Sequence, residues 1–97
     1  MALQKELIDE KGITASYFRV SAIIEQYLTD VPIITVQLLG YADQTYRDRE
    51  KQSGGLSLAN SYKEIILRQD DEQGYTRTDI YRRLTTETPD FAGSKQI

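Results

Sequence analysis

Residues 13–26 read ITASYFRVSAIIEQ, and this stretch decides the fold class. It is rich in β-branched and aromatic residues, which favour β-strands. As a strand it is apolar on both faces, with Ile13, Ala15, Tyr17 and Ile23 on one side and Phe18, Val20, Ala22 and Ile24 on the other. A strand with two apolar faces lies centrally in a sheet or is covered on both sides. We therefore predict a long, central strand over 13–26.

A helix competes with the strand in the second half of this stretch. Over residues 18–28 the apolar side chains also recur at helical spacing, namely at Phe18, Ala22, Ile23, Ile24, Tyr27 and Leu28. Residue type favours the strand, whereas spacing admits the helix, so both interpretations stay open for 18–28.

Strand patterns flank the central stretch on both sides. Residues 3–9 are predicted to pair with 13–26 as a hairpin, because Asp9 and Gly12 bracket a tight turn in which glycine can take a positive φ. A further strand is predicted over 33–46, where Gly40 indicates a bulge or a close backbone approach. The last strand is predicted over 61–69.

The charged, glycine-containing stretch 47–60 is predicted to be a flexible loop. A helix should begin after Thr76, whose hydroxyl can cap it by accepting from the Asp79 N–H, and it should end before Pro89. Its apolar stripe is formed by Ile80 and Leu84, while Tyr75 before the cap and Ile80 form the pair of a hydrophobic staple. Residues 88–97 should be a tail that Phe91 holds to the body.

Together these elements predict an α+β fold in a single domain spanning residues 1–97. Its core is a mainly antiparallel sheet of three to four strands in meander order, with one short C-terminal helix packed on it. Such a length is typical of one domain with a modest core.

The residue types present limit the catalytic and metal-binding chemistry that the chain can perform. The 97 residues include no histidine and no cysteine, which removes histidine general acid–base catalysis, thiol nucleophiles and ordinary zinc sites. The acidic cluster at 70–72 lacks the ligand spacing of a calcium loop and is expected to be a solvated turn. We therefore expect no enzyme, with no catalytic residue, no metal site and no cofactor.

Charge and hydropathy also bear on the classes of partner. A net charge of −3 offers no surplus of cations for nucleic-acid binding. Arg77, Arg82 and Arg83 are expected to form a solvated helix face. No apolar run approaches the roughly 20 residues that span a bilayer, so no membrane partner is expected.

Several short motifs carry a family resemblance that runs along nearly the whole chain. They are Met1-Ala2-Leu3 with Lys5, Gly12-Ile13, Tyr17-Phe18-Arg19-Val20, Ile23-Ile24, Asp79-Ile80-Tyr81 with Leu84, and Asp90-Phe91-Ala92-Gly93. In these the chain resembles small proteins encoded in the tail and baseplate gene modules of siphophages and prophages of Gram-positive bacteria. The resemblance implies a structural or assembly role, in the host cytoplasm during expression and in the virion tail. It assigns no functional residue.

Tyr17, Tyr41, Tyr81 and Phe91 are the residues that we expect at protein–protein contacts. The expected partners are other phage structural proteins and further copies of the chain, since sheet edges invite strand pairing. The alternative is a small acidic modulator, encoded by a prophage, that binds a host protein.

Overall fold

The structure is a computed structural model that describes residues 1–27, 30, 32–54, 56–70 and 72–97. Its strands are β1 (Leu3–Ile8), β2 (Thr14–Gln26), β3 (Ile33–Tyr41), β4 (Ser61–Arg68) and β5 (Lys95–Gln96), and its helices are α1 (Gln44–Gln52) and α2 (Arg77–Glu87). The strands form one five-stranded sheet in the order β4-β3-β2-β1-β5. Every neighbouring pair is antiparallel. The α+β class with a mainly antiparallel sheet is confirmed.

The long strand β2 lies in the middle of the sheet, as predicted. It remains a strand through Gln26, so the helical alternative is wrong for 18–26, while Leu28 lies outside the described residues. Its pairing with β3 shifts register between Val20 and Ala22, which makes Ser21 a β-bulge. The extra residue reverses the alternation, and Ile23 therefore packs with the main core rather than on the side of Tyr17.

The sheet has two faces, which the side chains of strand β3 illustrate. The first face carries Ile34, Val36 and Leu38, and the second carries Thr35, Leu39 and Tyr41, because side chains alternate along a strand. Helix α2 packs on the first face. The main core between them comprises Leu3, Ala15, Phe18, Val20, Ile34, Val36, Leu38, Ile65, Leu67, Ile80, Tyr81, Leu84 and Phe91.

Local turn and cap chemistry confirms several predictions. Asp9 accepts from the N–H groups of Lys11 and Ile13 through Oδ1, and Gly12 has a φ of 79°. Thr76 caps α2 by accepting from the Asp79 N–H at 3.2 Å, and the Asp79 carboxylate accepts from the Thr76 N–H in return. The two residues form a capping box, which fixes where α2 begins.

Gly40 permits a close approach rather than a bulge. It lies opposite Phe18 in the β2–β3 ladder, on the first face. A β-carbon at this position would stand 2.7 Å from Cε1 of Phe18. The Phe18 ring instead covers the bare glycine and meets Phe91 edge-on, with ring centroids 5.2 Å apart.

Three predictions about segments need correction. The predicted strand 33–46 ends at Tyr41, and the predicted loop 47–60 is helical through residue 52, because Asp43 caps α1 by accepting from the Thr45 N–H. The predicted tail 88–97 returns to the sheet, where β5 pairs with β1. Its Phe91 is fully buried, as expected of a residue that holds the tail to the body.

The prediction for Arg83 is wrong. Arg83 was expected on a solvated helix face, yet its side chain is fully buried. The guanidinium donates to the Glu87 carboxylate at 2.7 Å, to the Arg68 carbonyl at 2.5 Å and to the Gly74 carbonyl at 3.4 Å. Arg83 lies three residues after Ile80, on the same side of α2, and a cation can be buried there because these acceptors surround it.

Candidate interaction surface

The four aromatic residues predicted at protein contacts lie in the interior of the chain. Tyr81 and Phe91 belong to the main core, and Tyr17 and Tyr41 form a smaller cluster on the second face. The rings of this pair meet edge-on, with centroids 5.9 Å apart. All four are buried within the single chain, and their role at protein contacts stays a prediction.

The smaller cluster is covered by α1, which a polar network attaches to the second face. Glu50 of α1 is buried, and its Oε1 accepts from the Tyr41 hydroxyl at 2.9 Å and from Nη1 of Arg47 at 2.8 Å. Its Oε2 accepts from the Leu58 N–H at 3.0 Å. Arg19 of β2 donates through Nε to the Tyr41 hydroxyl at 2.9 Å.

The network lowers the pKa of Glu50. Burial by itself would raise this pKa, but hydrogen bonds from Leu58 and Tyr41 and the charges of Arg19 and Arg47 outweigh burial. Burial raises the pKa of the Tyr41 hydroxyl. An ionised carboxylate whose two oxygens both accept hydrogen bonds from the same chain suits a structural anchor for α1.

The remainder of the second face carries exposed side chains, and we call it the open face. Ile24, Thr35 and Ile66 lie there in one row across three strands, since Thr35 pairs with both isoleucines. Ile24 is 40% exposed and Ile66 is 64% exposed, while Thr35 between them is buried. Contiguous exposed apolar surface marks protein contacts, and here two exposed isoleucines flank a buried threonine in one row.

The outer edge of β4 borders the open face. The Gln69 N–H donates to the Pro32 carbonyl at 3.0 Å, so odd-numbered residues here direct their backbone groups towards β3. Even-numbered residues therefore direct theirs outward, from Tyr62 to Arg68. Arg83 already donates to the Arg68 carbonyl. The backbone N–H and carbonyl groups of Glu64 and Ile66 point outward at the centre of the edge.

The second half of β2 is also a sheet edge, because β1 pairs only with the first part of β2, up to Phe18. The Val20 N–H points away from β3 there and donates to the Tyr81 hydroxyl at 2.7 Å. This bond explains why the polar tip of Tyr81 can be buried. The Tyr81 side chain thus occupies part of this edge and holds α2 against the sheet.

A groove of about 550 Å³ lies between the β1–β2 turn and the start of β4. Its lining includes the apolar Ile8 and Ile13, and Asp9, Glu10 and Lys11 supply charge of both signs. The mixture shows no preference for a ligand of one charge.

Sequence reasoning missed the residues of the open face and of the β4 edge. The available signal was the run Ile65-Ile66-Leu67, since three consecutive apolar residues in a strand must place one of them on the side opposite to the other two. Ile65 and Leu67 are buried in the main core, and Ile66 is the residue placed outside.

The described residues also bear on metal sites and on membrane-spanning helices. No cluster of three or more acidic side chains able to hold a metal occurs among them. In the predicted turn at 70–72, Asp70 accepts from the Glu72 N–H, and Asp71 lies outside the described residues. Within the same part of the chain, no helix has the length and apolar character needed to cross a membrane.

No model of a known protein family matches the chain, and neither does any curated protein or solved structure.

Proposed function

We propose that the protein is a non-enzymatic structural or assembly component of the tail or baseplate region of a phage or prophage. It acts through protein–protein contacts with other phage structural proteins and with copies of itself, first in the host cytoplasm and then in the virion tail. The open face is the observation that carries the contact role. The resemblance of the short sequence motifs supports the phage context.

Two properties of the open face favour protein contact. Scattered apolar residues are ordinary on protein surfaces, but Ile24 and Ile66 share one row and border a strand edge with outward backbone groups. Removing an isoleucine side chain from water contributes about 1.5–3 kcal/mol when burial is complete. Strand edges add directional hydrogen bonds to that apolar contribution.

A particle-association experiment tests this function. The phage that encodes the chain is propagated with the tagged wild-type gene or with Ile66→Lys, and purified particles are probed for the tag by immunoblot. We expect wild type in the particles and Ile66→Lys depleted from them. Ile8→Lys is the matched control, because Ile8 is 67% exposed, close to the 64% of Ile66, but lies at the hairpin end of β1.

Two results would overturn the proposal. Wild-type protein that is absent from purified particles contradicts a structural role, and specific binding to a host protein would then favour the acidic modulator. Equal depletion of Ile66→Lys and Ile8→Lys would remove the open face as the contact. Circular dichroism of both purified variants shows whether each one remains folded.

A further inference from the structure

We propose that two copies of the chain pair through the outer edges of their β4 strands, with Ile66 on the two-fold axis and Glu64 of each copy opposite Arg68 of the other. The inference rests on the proposed function and deepens it, because it names a second copy as the partner at this surface. The product is one continuous sheet with the open faces of both copies on the same side.

The backbone allows this pairing in antiparallel direction. A two-fold axis perpendicular to a sheet reverses the strand direction and keeps each face on its own side. Residues that oppose each other must then point to the same face, so the axis lies midway between one residue of β4 and the same residue in the other copy. Because the backbone N–H and carbonyl groups of even-numbered residues point outward, Ile66 of one copy can form a hydrogen-bonded pair with Ile66 of the other.

Charge selects this register among those centred on neighbouring residues. An axis at Glu64 would place two carboxylates directly opposite each other, which is destabilising. An axis at Ile65 would place Glu64 opposite an isoleucine. With the axis at Ile66, Glu64 faces Arg68 twice, and opposite charges at such cross-strand positions attract. Glu64, Ile66 and Arg68 are all exposed on the open face.

The apolar row gives a second reason for the same register. In each copy Ile24, Thr35 and Ile66 cross three strands side by side. An axis at Ile66 joins the two rows end to end, so each Ile66 side chain packs beside its counterpart. A side chain that is 64% exposed in one copy thereby gains an apolar neighbour.

The lysine of β4 does not protect the outer edge of the strand. Lysine often protects a strand edge from such contact. The edge lysine here, Lys63, is on the first face, where its Nζ lies 3.3 Å from Oδ2 of Asp90. The Arg68 carbonyl, which already accepts from Arg83, has a second lone pair for the N–H of Glu64 in the other copy.

Charge reversal tests the register by sedimentation equilibrium of the full chain. We expect wild type to form a dimer at tens of micromolar. Glu64→Arg and Arg68→Glu each place like charges opposite each other and should raise the dimer Kd about tenfold. The double variant E64R/R68E restores opposite charges and should return the Kd to within about threefold of wild type. Glu10→Arg, with the same charge change on an exposed turn, should leave the Kd unchanged.

Hydrogen exchange supplies a readout at the edge itself. Protection of the Ile66 amide should rise with protein concentration, because that N–H points outward in the single copy and is bonded in the pair. The inference is overturned by a strictly monomeric wild type, by a double variant as weak as the singles, or by concentration-independent exchange at Ile66.

The two proposals fail in different ways. A monomeric protein whose Ile66→Lys variant is still lost from phage particles would end the self-pairing and keep the proposed function. A dimer that responds to charge reversal but is absent from particles would keep the pairing and end the phage role.

Discussion

Replacing Arg83 with alanine tests whether a buried cation holds α2 on the sheet. Arg83 is fully buried, and its guanidinium donates to the Glu87 carboxylate and to the carbonyls of Arg68 and Gly74. Breaking a buried ion pair costs about 3–5 kcal/mol. Glu87 keeps 33% of its side chain exposed, so water can rehydrate its carboxylate and lower that cost. We expect Arg83→Ala to reduce the free energy of unfolding by about 2–4 kcal/mol.

Urea unfolding followed by circular dichroism measures this loss, and the neighbouring Arg82 supplies the control. Arg82 is exposed and donates to the Gln73 carbonyl at 2.7 Å and to the Gln73 side chain at 2.9 Å. Arg82→Ala should cost less than about 1 kcal/mol, as exposed polar contacts do. Equal losses for the two variants, or a loss below 1 kcal/mol for Arg83→Ala, would refute the reasoning.

Three further variants test other parts of the fold. Leu84→Ala should lower the free energy of unfolding in urea by about 2–4 kcal/mol, because it leaves a cavity under α2; a loss below 1 kcal/mol would mean that α2 is not docked. Gly40→Ala should cost about 1–3 kcal/mol by the same measurement, because its β-carbon would overlap the Phe18 ring; an unchanged midpoint contradicts the close approach. The pKa of Glu50 is lowered on folding, so its contribution to stability is present above its unfolded pKa of about 4.3 and is lost as the pH falls through the lower folded value. Glu50→Gln should therefore flatten the acid side of the stability–pH curve, and an unchanged slope would contradict the network.

Elements with local causes could be predicted from the sequence. β-branched and aromatic residues favour a strand over 13–26, and Asp9 folds the turn by accepting from the nearby N–H groups of Lys11 and Ile13. Thr76 and Asp79 cap each other within a single helical turn. Phe91 could be placed against the body because an aromatic ring in a polar end has few other ways to leave water.

Features that depend on distant partners could not be predicted. The bulge at Ser21 becomes defined only when β3 lies alongside, and the burial of Arg83 depends on the Arg68 carbonyl, which is fifteen residues earlier. Helix α1 has a local signal in the Asp43 cap, but a charged sequence is stable as a helix here because Glu50 finds Tyr41 on the sheet.

The position of the candidate surface has the same origin. The pattern of 61–69 predicts a strand, but it contains nothing about that strand's place in the sheet order. Ile66 is exposed because β4 lies at the edge and because α1 covers only the far end of the second face. A local pattern therefore yields the strand, and only the assembled sheet shows which of its residues are exposed.

The pairing of β1 with β5 extends to residues 2 and 97, which lie side by side. Ala2 and Ile97 exchange hydrogen bonds of 2.8 and 2.9 Å, N–H to carbonyl in both directions. A short linker could therefore join the ends into a hairpin, and the chain could be reopened at the exposed turn beside Gly12 as a circular permutant. Any fusion partner at either end would emerge beside β5, at the opposite edge of the sheet from β4, and would leave that edge accessible.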